Sequence, residues 1–80
     1  MENREKLEKA FRDALGVGAG DVHDALAYGS KSWDSVAHMA LIAAIETAFD
    51  IMIDTEDVVE MSSFAKAKTI VGKYGVSLQA

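Results

Sequence analysis

The most constraining feature of this sequence is a segment, from Val36 to Ile45, that contains no Asp, Glu, Lys or Arg. Just before it stand Asp34 and Ser35, an acid and a hydroxyl of the type that begins helices. A helix that is apolar on nearly every side is either buried or offers a surface to a partner. Because small domains leave much of their surface in water, we expect a helix to about Asp50 that docks a partner beside a hydroxyl.

Composition limits the remaining possibilities. The 80 residues form one domain, residues 1–80, which is close to the smallest size that a single hydrophobic core can stabilise. The chain has no Cys for disulfides or thiolate metal sites, so its 50% hydrophobic residues must supply the stability. A net charge of −5 disfavours nucleic-acid binding and favours basic protein partners. No apolar run approaches the roughly 20 residues of a membrane span, and Met1–Glu5 lacks a signal-peptide pattern, so we expect a cytoplasmic protein that does not insert into membranes.

The first part of the chain predicts one helix followed by a long loop. The helix runs from Asn3 to Leu15 and ends at Gly16. Its inward residues are Leu7, Phe11, Ala14 and Leu15, and its expected i,i+4 ion pairs are Glu5/Lys9 and Glu8/Arg12. The loop, residues 17–33, is long for a compact domain, and a helical turn is expected near 24–27. Its apolar anchors are Val22, Leu26, Tyr28 and Trp33.

The helix after Ser35 has two different faces. The expected core stripe is Leu41, Ile42, Ile45, Ala48, Phe49 and Met52. The opposite face carries Val36, Ala37, Ala40, Ala43, Ala44 and Thr47. These small side chains would let a partner approach closely at little desolvation cost, although alanine is also simply the best helix former.

The second half predicts two more helices. Asp54 is expected to cap a short and mobile helix over 55–60, and Ser62 or Ser63 to cap a last one, to about Tyr74. The inward residues of the last helix are Phe64, Ala67, Ile70, Val71 and Tyr74, with Lys66, Lys68 and Lys73 outside. Gly75 ends it and residues 76–80 are expected to fray. The fold class is therefore all-α: a small four-helix bundle of three main helices and one short helix, with a long first loop.

From Asp34 onward the chain resembles the acyl carrier proteins. Their motif is Asp-Ser-Leu at the start of the second helix, and this chain has Asp34-Ser35-Val36. The similarity continues without a gap through Leu41, Ile42, Ile45, Glu46, Phe49, Asp50, Ile53 and Ser62, and Leu15-Gly16-Val17 resembles the end of the family's first helix. The resemblance covers most of the chain. The length, the acidity and the order of the helices also resemble those of the family.

The resemblance implies a covalent cofactor and a set of partners. A phosphopantetheinyl transferase would move 4′-phosphopantetheine from coenzyme A onto the Ser35 hydroxyl, with Asp34 as the adjacent motif residue. The resulting phosphoprotein would carry acyl or aminoacyl groups as thioesters from a loading ligase to downstream synthase or transferase enzymes. The pathway would be fatty acid biosynthesis, polyketide biosynthesis or another branch of lipid or specialised metabolism. The carrier itself would be a monomer and no enzyme.

The resemblance also assigns two groups of residues. Matching the acyl-chain cleft of the family are Ile42, Ile45, Phe49, Ile53, Val58, Phe64 and Ala67, which on the simpler interpretation are ordinary core residues. The expected partner-binding residues are Trp33, Val36, Ala37, Ala40, Ala43, Glu46, Thr47 and Glu56. Alanines replace the acidic residues usual in carriers of primary fatty-acid synthesis, which favours a specialised carrier. Trp33 replaces a usually small residue and either anchors the loop by packing or flanks the arm.

Other chemistry is weakly supported. His23 and His38 lack companion ligands at metal-binding spacing, so no metal site is predicted; His38 is expected to be a helix-surface residue, or a contact to the arm or a partner. The acidic residues between Asp54 and Glu60 lack the glycine and alternating ligands of an EF-hand loop. The alternative function is a noncovalent adaptor that binds another protein's groove or helix, with a helix-turn-helix DNA binder a distant third because of the negative charge.

Overall fold

A computed structural model describes residues 2–78 as a mostly helical domain. The helices are α1 (Asn3–Leu15), α2 (Ser35–Phe49), α3 (Thr55–Glu60) and α4 (Phe64–Lys73), with a 3₁₀ turn at Ala19–Asp21. Within residues 2–78 there is no strand, only an isolated bridge between Ala27 and Ser63. The all-α class is therefore confirmed, and the predicted helix bounds agree to within about a residue.

Helix α1 buries the predicted stripe and one residue more. Leu7, Phe11 and Leu15 are buried, as is Ala10, and Ala14 packs at the edge of the core. Gly16 ends the helix in the left-handed region at φ 68°, where an L side chain would be strained.

The predicted ion pairs on α1 are wrong. The pairs observed are Arg4–Glu8 at 3.6 Å and Lys9–Asp13 at 2.8 Å. Both also join residues four apart on the helix, so spacing alone could not choose between overlapping pairs.

The long loop between α1 and α2 lies across the ends of the helices and is held by its apolar anchors. Val22 and Trp33 are buried and Leu26 is half-buried, whereas Tyr28 is largely exposed. The only helical segment in residues 17–33 is at 19–21, and near 24–27 the chain forms a single turn closed by the Leu26 N–H and the His23 carbonyl at 2.9 Å, without the predicted helix. The Asp21 carboxylate accepts the Gly18 N–H at 3.2 Å, which favours the earlier position.

Backbone hydrogen bonds join this loop to the start of α4. Tyr28 N–H donates to the Ser62 carbonyl at 2.9 Å, and Phe64 N–H donates to the Leu26 carbonyl at 3.0 Å. These bonds fix the second half of the loop although it has no regular structure of its own.

Helix α2 begins and ends at identifiable local signals. The Asp34 carboxylate accepts the Ala37 N–H at 2.9 Å, as an N-cap does. At the other end Asp50 adopts the left-handed conformation (φ 53°, ψ 52°), which stops the helical periodicity. The prediction that Met52 faces the core is therefore wrong, because the chain has already turned and Met52 is 85% exposed.

The two later helices differ in how they start. Ser63 Oγ accepts the Lys66 N–H at 3.0 Å and caps α4. The predicted cap of α3 is wrong: the Asp54 side chain makes no capping hydrogen bond. Its backbone N–H instead donates to the Tyr74 hydroxyl at 2.9 Å, which ties the start of α3 to the end of α4.

The core joins all these segments through a cluster of aromatic rings. Phe11 of α1 makes edge-to-face contacts with Trp33 at 5.4 Å and with Phe64 of α4 at 5.0 Å. Residues 76 and 78 also pack against the core, so the predicted fraying does not hold for residues 76–78, and its remainder lies outside the described residues. None of the helices in residues 2–78 has the length and apolar character needed to cross a bilayer.

Candidate functional site

Ser35 is the first residue of α2 and is exposed to solvent. The capping Asp34 keeps the chain extended up to this point, so the Ser35 side chain stands where the helix begins. The first backbone N–H groups of a helix lack intrahelical partners and, with the helix dipole, favour an anionic group. Apart from the N-cap carboxylate of Asp34, which accepts the Ala37 N–H, the start of α2 carries no acidic side chain.

A pocket of about 350 Å³ opens directly beside Ser35, between α2 and α3. It is lined by Tyr28, Ser35, His38, Met39, Val58, Val59, Met61 and Ser62. None of these is an Asp, Glu, Lys or Arg residue, so the pocket next to the hydroxyl is uncharged apart from any charge on His38. We call it the Ser35 pocket.

Exposed apolar side chains line the Ser35 pocket, at Met39 and Val59, and directly follow Ser35 in the sequence, at Val36. Val36 is 78% exposed, Met39 is 60% exposed and Val59 is 77% exposed. Single exposed apolar residues are ordinary, but adjacent ones mark surfaces that contact other molecules. The sequence predicted Val36 here and missed Met39 and Val59, because their exposure depends on how α2 and α3 face each other.

The other predicted partner-binding residues do not share one surface. Ala40, Ala43 and Thr47 line a shallow groove of about 610 Å³ between α2 and α1, together with Lys6 and Lys9. Glu56 is exposed and lies instead on a groove between α3 and α4.

Two of the predicted partner-binding residues make contacts inside the protein instead. Ala37 is half-buried against the core. Glu46 accepts the Ile53 N–H at 2.9 Å and so holds the turn between α2 and α3. This bond gives Glu46 a structural role that its helical position did not reveal.

Trp33 cannot bind a partner directly, which corrects its predicted place on the partner-binding surface. Its side chain is fully buried. Its ring contacts Phe11 and Tyr28 edge-to-face and lies side by side with the His38 ring, their planes 27° apart and their centroids separated by 5.9 Å. The packing interpretation of Trp33 is therefore the one that the structure supports.

His38 is not the plain surface residue that the sequence suggested. Its ring is half-buried between the loop and α3, where Nδ1 accepts the Trp33 indole N–H at 3.0 Å. Its Nε2 lies 2.7 Å from the Val58 carbonyl oxygen. The one sequence signal for this role was that His38 lies about one helical turn after Ser35.

Most of the predicted cleft residues belong to the core. Val58 alone among them lines the Ser35 pocket. Phe49 is half-buried, and the others are buried: Ile42, Ile45, Ile53, Phe64 and Ala67. The simpler interpretation, that these are core residues, therefore describes them in this structure. Among the predicted cleft residues, the Ser35 pocket reaches none beyond Val58.

A buried carboxylate fixes the other side of α3. Asp57 receives hydrogen bonds from the Lys73 ammonium at 2.6 Å and the Tyr74 hydroxyl at 2.5 Å. The hydrogen bond from Lys73, and then that from Tyr74, lower the pKa of the Asp57 carboxyl. The Asp57 carboxylate in turn raises the pKa of Lys73 and of Tyr74. This cluster joins α3 to the end of α4 and leaves the face of α3 toward Ser35 to be held by other contacts.

Among the described residues, no group of three or more His, Cys, Asp or Glu side chains is arranged to hold a metal ion. The candidate site consists of the exposed Ser35 hydroxyl, the Ser35 pocket and an apolar rim of exposed side chains, Val36, Met39 and Val59. Comparison with models of protein families, with curated proteins and with solved structures gives no match to this chain.

Proposed function

We propose that this protein is a carrier of acyl or aminoacyl groups and that Ser35 is the attachment point of a 4′-phosphopantetheine arm. The observation that carries the proposal is the position of Ser35, which is exposed at the first residue of α2 and forms part of the wall of an uncharged pocket. The resemblance of the segment from Asp34 to Ser62 to the acyl carrier proteins supports it. On this proposal the four helices form the bundle of that family, and the protein acts in the cytoplasm as a monomer.

The surroundings of Ser35 suit a phosphodiester. Negative charge near a helix N-terminus is stabilised by about 0.3–1 kcal/mol at exposed positions. The Asp34 carboxylate is engaged by the Ala37 N–H, so it caps the helix while remaining exposed for a basic residue of the transferase. A Ser35 adduct would leave the core unchanged, because the side chain points into solvent at the pocket wall.

A carrier needs no catalytic groups of its own. The arm would end in a thiol that holds its cargo as a thioester, and a short flexible tether raises the local concentration of that cargo to the order of millimolar. The partners would be a phosphopantetheinyl transferase, a loading ligase and downstream synthase or transferase enzymes.

The pathway we favour is a specialised one rather than primary fatty-acid synthesis. The exposed side chains that follow Ser35 are neutral and largely apolar, Val36 and Met39 on α2 and Val59 on α3. Partners that bind these residues would contact them through apolar side chains. Carriers of primary fatty-acid synthesis usually present acidic residues on the corresponding helix instead.

The decisive experiment is a loading assay. The purified protein is incubated with coenzyme A and a promiscuous phosphopantetheinyl transferase, and the intact mass is measured. We expect the mass to increase by one phosphopantetheine group, and Ser35→Ala to abolish the increase. Ser62→Ala is the matched control, since Ser62 is an exposed serine on the same pocket, and it should be loaded like the parent. An unloaded parent, or a loaded Ser35→Ala protein, would refute the proposal.

The second candidate function is the noncovalent helical adaptor, and the exposure of Val36 and Met39 favours it. An adaptor would use the same rim with no prosthetic group, by presenting one face of α2 to a groove or helix of its partner. The loading assay separates the two functions, because an adaptor has no reason to be a substrate of the transferase.

A further inference from the structure

His38 is the polar connection between the loop before α2, α2 itself and α3. Its Nδ1 lies 3.0 Å from the Trp33 indole nitrogen and its Nε2 lies 2.7 Å from the Val58 carbonyl oxygen. An indole N–H can only donate a hydrogen bond and a carbonyl can only accept one. Both contacts are satisfied at once when the hydrogen is on Nε2 and the lone pair of Nδ1 is turned toward Trp33.

The Val58 carbonyl is one of the groups that α3 cannot satisfy by itself. It lies in the last turn of a six-residue helix, Thr55–Glu60, where carbonyl groups have no intrahelical partner. So short a helix is held by its contacts rather than by its own propensity. On the side of α3 that faces away from Ser35, Asp57 supplies such a contact, and on the Ser35 side His38 does.

We propose that His38 is a pH-sensitive latch that, in its neutral form, holds α3 against α2 along the Ser35 pocket. Proton uptake would make Nδ1 a donor, and it would then face the Trp33 N–H donor across 3.0 Å. Histidine is the side chain that ordinarily changes charge between about pH 5 and 8. In that state the two hydrogen bonds of the ring cannot both persist, because Nδ1 no longer has a lone pair to accept the Trp33 N–H.

Of the two facing groups, the His38 ring is the one that moves, and α3 moves with it. Trp33 is fully buried and contacts Phe11 in the core, so it cannot turn its N–H away. The His38 ring lies on the wall of a pocket that is open to solvent, where its new N–H can reach water. Turning the ring into the pocket breaks its bond to Val58 and frees the last turn of α3.

Among residues 2–78, no carboxylate forms an ion pair or a hydrogen bond with the His38 ring. From the loop the Tyr28 ring faces it edge-on at 5.5 Å, and from α3 the Val58 backbone carbonyl lies within hydrogen-bond distance of it. On its own helix the nearest acid is Asp34, whose carboxylate is engaged by the Ala37 N–H. Tyr28 is the only other titratable residue among those that line the Ser35 pocket.

The composition of the chain makes the latch directly measurable. Trp33 is the single tryptophan, and His23 and His38 are the two histidines. The indole N–H resonance of Trp33 is followed by NMR from about pH 8 to about pH 5, with tryptophan fluorescence in parallel. We expect one transition in the parent, its loss in His38→Gln and its retention in His23→Gln, since His23 is exposed on the loop and a glutamine can donate and accept without taking up a proton.

Hydrogen exchange of the α3 amides tests whether the titration moves the helix. At the acid end we expect the amides of α3 to exchange up to about tenfold faster in the parent than in His38→Gln at the same pH, which corresponds to the loss of one net hydrogen bond. A parent with no indole transition would overturn the proposal. So would a transition that persists in His38→Gln, or one that leaves the α3 exchange rates of the two proteins equal.

A measurement on the parent alone keeps the proposal testable if His38→Gln does not fold. Long-range ¹H–¹⁵N spectra of the imidazole report which nitrogen carries the proton. We expect an unprotonated Nδ1 at about pH 8 and protonation that coincides with faster α3 exchange; an Nδ1 that is already protonated at about pH 8 would overturn the latch. The latch does not depend on any group on Ser35, so its failure and the failure of the loading assay are distinguishable.

Discussion

Replacing Trp33 with phenylalanine separates the hydrogen bond of this side chain from most of its packing. The parent ring is fully buried, contacts Phe11 edge-to-face and donates its indole N–H to His38 at 3.0 Å. Trp33→Phe keeps an aromatic ring in the core but leaves the acceptor Nδ1 of His38 without a partner. A half-buried acceptor that loses its donor costs about 1–3 kcal/mol of unfolding free energy.

A graded series fixes the magnitude. Trp33→Ala removes the whole ring, and aromatic truncations in cores cost about 3–5 kcal/mol. Natural domains are stable by roughly 0.05–0.15 kcal/mol per residue, or about 4–12 kcal/mol for a chain of 80 residues. Trp33→Ala thus removes a large share of the total, and Trp33→Phe is the more informative variant. Met52→Ala is the control for burial, because Met52 is 85% exposed and should change stability by no more than about 0.5 kcal/mol.

Urea unfolding followed by far-UV circular dichroism measures the series without relying on the fluorescence of Trp33. With an m-value of about 1 kcal/mol/M, Trp33→Phe should lower the midpoint by about 1–3 M. Loading of the folded variant by the transferase should proceed at the rate of the parent, because the ring does not reach the surface. A Trp33→Phe protein as stable as the parent would refute the packing role, and a folded variant that is loaded about tenfold more slowly would show that Trp33 does more than pack.

Two further predictions concern the later helices. The lowered pKa of Asp57 means that its bonds to Lys73 and Tyr74 contribute stability that is complete above the ordinary carboxyl pKa and is lost as pH falls through the lowered value. The urea midpoint should therefore fall below about pH 4, less so in Asp57→Asn; an equal fall in both would contradict the assignment. Ser63→Ala should cost about 1 kcal/mol by removing the α4 cap, whereas Asp54→Ala should cost clearly less, since Asp54 makes no capping bond; equal costs would contradict the capping difference.

Local signals in the sequence were enough to predict most of the helices. Gly16 and the apolar spacing before it define the end of α1. Asp34 was expected at one helix start and either Ser62 or Ser63 at another, and Asp34 and Ser63 each cap a helix as an N-cap residue should. These features depend on a few neighbouring residues and on backbone geometry, which is why they can be recognised without a tertiary structure. The same is true of Ser35 as the candidate site, because its position at a helix start follows from Asp34.

The predictions that failed depended on contacts between distant segments. Met52 continues the helical spacing of α2, but the left-handed Asp50 ends the helix first. Asp54 has the side chain of a cap, yet its backbone is used by Tyr74, 20 residues away. His38 resembles a surface residue in the sequence, and only the approach of α3 gives it the Val58 carbonyl as a partner. No periodicity or propensity encodes such a choice of partner.

The sequence by itself determined that this chain is an all-α domain with a hydroxyl at the start of a helix that carries no Asp, Glu, Lys or Arg before Glu46. Periodicity, capping residues and the absence of charge between Val36 and Ile45 are local properties, and local interactions decide where helices begin and which face is apolar. The tertiary structure alone decided that Trp33 is buried, that Ser35 adjoins a pocket and that His38 joins α2 to α3. The physical reason is that burial and side-chain hydrogen bonds are set by which segments meet in space, and the meeting of α2 with α3 is fixed by the packing of the whole core.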